Sequence, residues 1–316
     1  MGKTVISIEG ENFLINSEKV YSDIESSNPE CHGLLFNARF IQGIFDDAKD
    51  ASKYSRFGVK KWNADENTDA LIRSLPQWYA YGLRAFTVGF QGGGPCFTVD
   101  SRTINNNPFG TDGSEINDDY KNRMHRLITA ADKIGMVVIV SFLYGHQARR
   151  LENGLAVRKA VINASRFLKQ NAYTNVLIEV ANEMDVPEFD VHKIVQEPEG
   201  MASLIDLARV ESGGMLVSCS GKGGSLEKEV ADASDFILIH GNELSRQRYY
   251  SLIKQAKKIG NGKPIICNED SSSIGQLKVS QNTHTSWGYY NNMTKQEPPA
   301  DWSITKGEDF FLQQEW

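Results

Sequence analysis

The chain has 316 residues, 40% of them hydrophobic and 23% charged, which excludes a mainly disordered protein and leaves room for one large α/β domain. Its net charge of −6 gives no reason to expect nucleic acid or an anionic membrane surface as partner. No run approaches the ~18–20 apolar residues that a membrane span needs.

Residues Met1 to Gly10 lack the basic start and apolar core of a signal peptide, so the expectation is a cytoplasmic protein unless a secretion signal was removed. The cysteines Cys31, Cys96, Cys219 and Cys267 are scattered, without a CxxC and without clustering with histidines. They read as buried thiols rather than as disulfides or metal ligands.

Two short β-like runs, Thr4–Ile8 and Asn12–Ile15, flank Glu9-Gly10-Glu11 and predict a hairpin. We expect residues 1–25 to form a small cap outside the main body, which occupies 26–316. Leu34, Leu35 and Phe36 make a first buried strand, with Asn37, Arg39 and Gln42 at or beyond its end. Asp46, Asp47 and Asp50 follow as an acidic group that reads as a solvated helix start, with a metal site as the lesser alternative.

A helix is predicted over Thr68–Tyr81, with Pro76 expected to kink or shorten it. Ala85–Phe90 is the second strand and leads into Gln91-Gly92-Gly93-Gly94-Pro95, whose spacing fits neither GxGxxG nor a P-loop and reads as a flexible loop. The clearest helix is Ser114–Ile134, where Ile116, Tyr120, Met124, Leu127 and Ala131 make one apolar stripe ended by Gly135. Met136–Phe142 is an apolar run broken only by Ser141, the mark of a strand buried on both faces.

A helix over Gly154–Gln170 then leads to a fourth strand, Val176–Val180, which ends in Asn182-Glu183. The alternation continues: helix Met201–Val210, strand Met215–Cys219, weak helix Leu226–Ala233, strand Phe236–Ile239 ending in His240-Gly241-Asn242, and helix Ser245–Ile259 stopped by Gly260. The seventh strand, Pro264–Cys267, ends in Asn268-Glu269. Thr285–Tyr289 is the eighth, and a short helical segment around Glu308–Glu315 closes the chain. Such alternation demands a parallel sheet with right-handed crossovers, and eight units in this length predict an α/β fold, a (β/α)8 TIM barrel with an N-terminal β-hairpin cap.

In such barrels the site lies at the C-terminal ends of the strands. Glu183 and Glu269 then approach one mouth from separated points on the rim. Two carboxyl groups facing across a glycosidic bond can hydrolyse it through a covalent intermediate when about 5–5.5 Å apart, or by inversion at about 6.5–9.5 Å. Glu179, four residues before Glu183, points into the barrel by the same alternation and should be buried against a cation.

These motifs resemble the retaining glycoside hydrolases of clan A, family 5 in particular. Ile178-Glu179-Val180-Ala181-Asn182-Glu183 is similar to the strand 4 acid/base motif, with Met184 where proline is usual. Cys267-Asn268-Glu269-Asp270 resembles the strand 7 nucleophile segment, and Phe13–Val20 the entry hairpin of several members. Ser286-Trp287-Gly288 stands where the clan often has a sugar-flooring tryptophan. The resemblance implies Glu183 as acid/base, Glu269 as nucleophile, Asn182 on the sugar 2-hydroxyl and Trp287 as platform. It also implies that the charge of Glu269 holds Glu183 protonated.

One departure is plain: the strand 2 arginine of the clan is missing, Thr87 standing in its place, and Arg39 is the candidate substitute. His240, Asn242, Gln91 and His146 are further strand-end groups expected to line the site. No metal or cofactor is expected, and the partner is an oligo- or polysaccharide. The alternatives are a catalytically inactive carbohydrate-binding barrel and a barrel lyase or isomerase using Glu and His.

Overall fold

The computed structural model describes residues 2–56, 58, 60–272, 274–305 and 308. The hairpin forms as β1 (Ile6–Glu9) and β2 (Asn12–Ile15), with a third strand, β3 (Glu18–Lys19), added to it. It lies against the N-terminal ends of the barrel strands: Ile6 N–H donates to Thr174 O at 3.0 Å, and the buried Phe13 ring meets Phe236 edge-on at 6.2 Å.

Among the described residues, eight parallel strands make the barrel: β4 (Asn37–Arg39), β5 (Ala85–Gly89), β6 (Val137–Tyr144), β7 (Val176–Asn182), β8 (Val217–Ser218), β9 (Ile237–His240), β10 (Ile265–Glu269) and β11 (Gly288–Tyr289). Six pair in the order β11-β4-β5-β6-β7-β8, and β9 pairs with β10. The two groups meet where Cys267 N–H donates to Ser286 O at 2.8 Å, and where Asp235 N–H donates to Val217 O at 2.9 Å. The strands are nearly all buried, as central parallel strands must be when helices cover them outside and side chains fill them inside.

Among the described residues the helices are α1 (Ala64–Ala80), α2 (Asp118–Ile134), α3 (Gly154–Gln170), α4 (Lys193–Gln196), α5 (Pro198–Ser212), α6 (Lys228–Ala233), α7 (Arg246–Gly260), α8 (Ile274–Asn282) and α9 (Asn292–Lys295). The long helices α1, α2, α3 and α7 follow the sequence periodicity closely. The expected shortening at Pro76 does not occur. Helix α1 starts earlier than expected, capped by the Asn63 side chain, and runs through Pro76 because Leu71, Leu75 and Trp78 are all buried against the core. Gly135 stops α2 in the left-handed conformation, whereas α7 takes in the expected stop Gly260 and is capped in that conformation by Asn261.

Other expectations change as well. The first strand is Asn37–Arg39, and Leu34–Phe36 precede it as buried irregular chain, so Asn37 and Arg39 sit inside the strand. Asp47 is not a solvated helix start. It is buried and accepts from Lys49 N–H and Asn105 N–H at 2.9 Å each and from Tyr54 O–H at 3.1 Å, stapling two loops together. Asp50 caps a short 3₁₀ turn.

The triple glycine is packed tightly: a Cβ on Gly92 would lie 2.1 Å from Ile41 O, so only glycine fits. Cys96 is exposed, against expectation, while the other three cysteines are buried and free. The expected terminal helix, Glu308 apart, lies outside the described residues. Among the described residues no helix is long and apolar enough to cross a membrane.

Candidate active site

The ends of β4, β7, β9 and β10 bring five of the expected residues into one cluster, and the loop after β9 adds Asn242. Arg39 is buried on β4. Its Nε lies 2.9 Å from Glu269 Oε2, and its Nη2 donates to Asn182 Oδ1 at 2.8 Å. Asn242 Nδ2 donates to the other Glu269 oxygen at 2.9 Å. His240, fully buried at the end of β9, places Nδ1 3.1 Å from Glu183 Oε1 and 3.7 Å from Glu269 Oε2. A carboxylate oxygen of Glu183, a ring nitrogen of His240 and a carboxylate oxygen of Glu269 all lie within 4.8 Å of one another.

Glu183 sits just past β7 with φ +54°, a left-handed conformation unusual for glutamate. Ser220, beyond β8, fixes it: its Oγ accepts from Glu183 N–H at 3.0 Å, and its carbonyl accepts from Met184 N–H at 3.0 Å. The same Ser220 hydroxyl donates to Glu179 Oε1 at 2.7 Å, and Asn268 Nδ2 donates to that oxygen at 3.2 Å. Glu179 is thus buried in the barrel as expected, but neutral donors meet it. No cation bonds it directly, and the buried Arg39 nearby pairs with Glu269.

The protonation preferences differ from the simple two-carboxylate picture. Burial pushes the Glu269 carboxyl above its ordinary value, with Arg39 and His240 opposing and Glu183 adding to the rise. Burial also pushes Glu183 up, yet the hydrogen bond and charge of His240 outweigh it and hold Glu183 below the usual carboxylate range. His240 itself is raised, because the two carboxylates overcome its burial. His240 is expected to line the site, and its imidazole lies between the two carboxylates, nearer Glu183, with Glu269 the deeper. The three groups titrate together.

The remaining predicted residues separate. Gln91 is buried and turned to the scaffold, donating to Asn107 Oδ1 at 2.9 Å and accepting from Tyr144 N–H at 2.9 Å. His146 is within electrostatic reach of Glu183, but its ring contacts Ser101 Oγ on one side and Glu188 Oε1 at 3.4 Å on the other. Trp287 has none of its surface exposed and donates its Nε1–H to Asp270, so it offers no open face to a sugar.

Two tyrosines join the cluster that sequence reasoning left out. Tyr144 ends β6 and Tyr290 follows β11; Arg39 lies over the Tyr290 ring at 5.6 Å. Their position at the C-terminal ends of strands was the available signal.

No known family's sequence pattern matches the chain, and no curated protein matches it in sequence. Solved structures do match in fold. A Bacteroides vulgatus protein assigned to the glycoside hydrolases aligns over 98% of this chain and 60% of its own, with 12% identity and a TM-score of 0.64. The β-1,4-D-mannanase of Cryptopygus antarcticus aligns over 98% of this chain and 94% of its own, with 13% identity and a TM-score of 0.62. XEG5A, a family 5 xyloglucan-specific endo-β-1,4-glucanase from a metagenomic library, solved with cellotriose, aligns over 90% and 93%, with 11% identity and a TM-score of 0.55. The chain spans 60% of the length of the first of these. The fold is therefore the (β/α)8 barrel of the family 5 glycoside hydrolases.

Proposed function

We propose that the protein is a glycoside hydrolase that cleaves a β-linked oligo- or polysaccharide with retention of configuration. The observation that carries this reading is the approach of Glu183 and Glu269 oxygens to within 4.8 Å across the barrel mouth. That spacing favours direct attack on the anomeric carbon and leaves too little room for the intervening water of an inverting enzyme.

In the first step Glu269 Oε attacks the anomeric carbon while the glycosidic oxygen leaves with a proton from Glu183. In the second, water gives a proton to Glu183 and its oxygen displaces Glu269. Arg39 and Asn242 hold both Glu269 oxygens and orient it for attack. Asn182, itself held by Arg39, is positioned for the sugar 2-hydroxyl. The acid role requires Glu183 to carry a proton when substrate is bound. The His240 imidazole, raised in its proton affinity and 3.1 Å away, is the adjacent source. Entry of the glycan excludes water from Glu183 and favours its neutral form.

The inactive-barrel alternative drew its support from the missing strand 2 arginine, and Arg39 on β4 supplies that charge from another strand. The test is chemical rescue. Glu269→Gly, given an activated β-glycosyl fluoride and azide, is expected to yield the α-glycosyl azide. Wild-type rates in Glu269→Ala would overturn the assignment. A panel of plant and algal polysaccharides, including mannan and xyloglucan, identifies the substrate.

A further inference from the structure

Two loops meet beside the carboxylate pair: residues 92–98 after β5, and residues 290–297 after β11. Glu297, 5% exposed, is the point of attachment. One of its oxygens accepts from both Cys96 N–H and Phe97 N–H at 2.6 Å. The other accepts from the Thr98 hydroxyl and lies 3.4 Å from Arg56 Nη2. Its neighbour Gln296 donates to Gly94 O at 3.0 Å and accepts from the Tyr290 hydroxyl.

The segment so held is close to the chemistry. Cys96 Sγ is 3.8 Å from Tyr290 Oη, and Cys96 lies within electrostatic reach of Glu269 and Arg39. The next residue, Phe97, is 64% exposed. Leaving a phenyl ring in water forgoes about 1.5–3 kcal/mol of burial. A loop free to move would fold that ring inward, yet here a buried carboxylate grips the backbone N–H of Phe97 itself. An apolar ring held outward by a fixed backbone is a preorganised contact surface.

We infer that Phe97 is the aromatic platform of an outer subsite, on which a pyranose ring of the β-linked glycan stacks its C–H face, and that Glu297 is the positioning residue that holds it there. The inference rests on the glycosidase reading and adds to it where the chain beyond the cleaved bond is bound. It assigns this stacking to Phe97, since Trp287 is enclosed.

The test compares a polysaccharide that the wild type cleaves with a 4-nitrophenyl β-glycoside too short to reach the loop. Phe97→Ala is expected to raise KM on the polymer and lower the polymer-to-aryl-glycoside ratio of kcat/KM about five- to tenfold. Phe97→Trp should restore it. Glu297→Gln, which loses acceptor capacity but keeps its size, should lower the ratio in the same direction, and Val210→Ala, an exposed apolar control on α5, should leave it at the wild-type value.

A ratio unchanged in Phe97→Ala on a polymer that the wild type cleaves would overturn the platform and leave the glycosidase reading standing. If the wild type neither cleaves any polymer of the panel nor is retarded by one in a gel, both fall together. A wild-type dimer in sedimentation that Phe97→Ala dissociates would assign the ring to a second copy and also overturn the inference.

Discussion

Arg39 on the first barrel strand and Glu269 on the seventh form a buried ion pair, Nε to Oε2 at 2.9 Å, in a wall where β11 separates their strands. The pair ties Asn182 in as well, through Arg39 Nη2. A guanidinium serves here because its fork reaches two acceptors at fixed angles, which an ammonium cannot do.

Removing Arg39 takes away the closest counter-charge of buried Glu269 and leaves it Asn242 and His240 as neighbours. Arg39→Met is expected to lose about 3–5 kcal/mol of stability, read from urea denaturation, together with the orientation of Glu269. Arg39→Lys should retain part of the stability and little of the proposed activity. Equal stability of Arg39→Met and wild type would show that the pair is not formed in solution.

The His240 prediction is a pH dependence. Burial lowers its proton affinity, but Glu269 and Glu183 outweigh burial and the folded value lies above the ordinary 6.5. A raised histidine contributes stability that is fully present below its unfolded value and is lost as pH rises through the folded value. The melting temperature should therefore fall as pH rises above about 6.5. That limb should be weaker in His240→Gln. A titration of the ring by NMR locates the folded value directly.

Asp270 gives a second pH effect. Burial pushes its carboxyl up to about 7, against the hydrogen bonds from Trp287 and Gln276. Here the neutral form is favoured in the fold, so stability is greatest below the unfolded value and declines as pH rises toward 7. Asp270→Asn keeps an acceptor for Trp287 Nε1 and removes the charge. Above pH 7 the variant should exceed the wild type in stability by up to about 4 kcal/mol. Below pH 4 the two should converge. A variant less stable than the wild type at pH 8 would refute the prediction.

Ser220 is expected to matter beyond its size. Its hydroxyl donates to Glu179 and accepts from Glu183 N–H, so Ser220→Ala strips one donor from a buried carboxylate and one acceptor from a strained turn. A loss of about 1–3 kcal/mol is expected in denaturation. Ser220→Thr should recover much of it.

The sequence made the barrel legible because buried parallel strands read as nearly continuous apolar runs, as in Val137–Phe142 but for Ser141 and Val176–Val180 but for Glu179, and because α2 and α3 carry clear stripes. The cluster of Glu183, Glu269, Asn182 and His240 was legible for a related reason: each stands at the end of such a run. What lay hidden depends on packing across strands. Alternation could place Glu179 inside the barrel but could not say that Ser220 and Asn268 would satisfy it. Trp287 was assigned to the mouth from its position near a strand end, yet its indole N–H turns to Asp270. Helix α8 went unread because Ile274–Asn282 carries no apolar stripe. The clasp of Glu297 on Cys96 and Phe97 joins two loops far apart in the chain, and no periodicity encodes it.

The left-handed backbone at Glu183 has a consequence for how the protein sits on its own fitness landscape. Holding a glutamate at φ +54° costs about 1–2 kcal/mol relative to a residue without a Cβ. Glycine at that position would release the strain and also relieve the partial desolvation of the carboxylate. The chain therefore stands below its attainable stability at the very residue proposed to move the proton. Glu243 adopts the same backbone region at φ +62°, so the strain alone does not set Glu183 apart; its contact with His240 does.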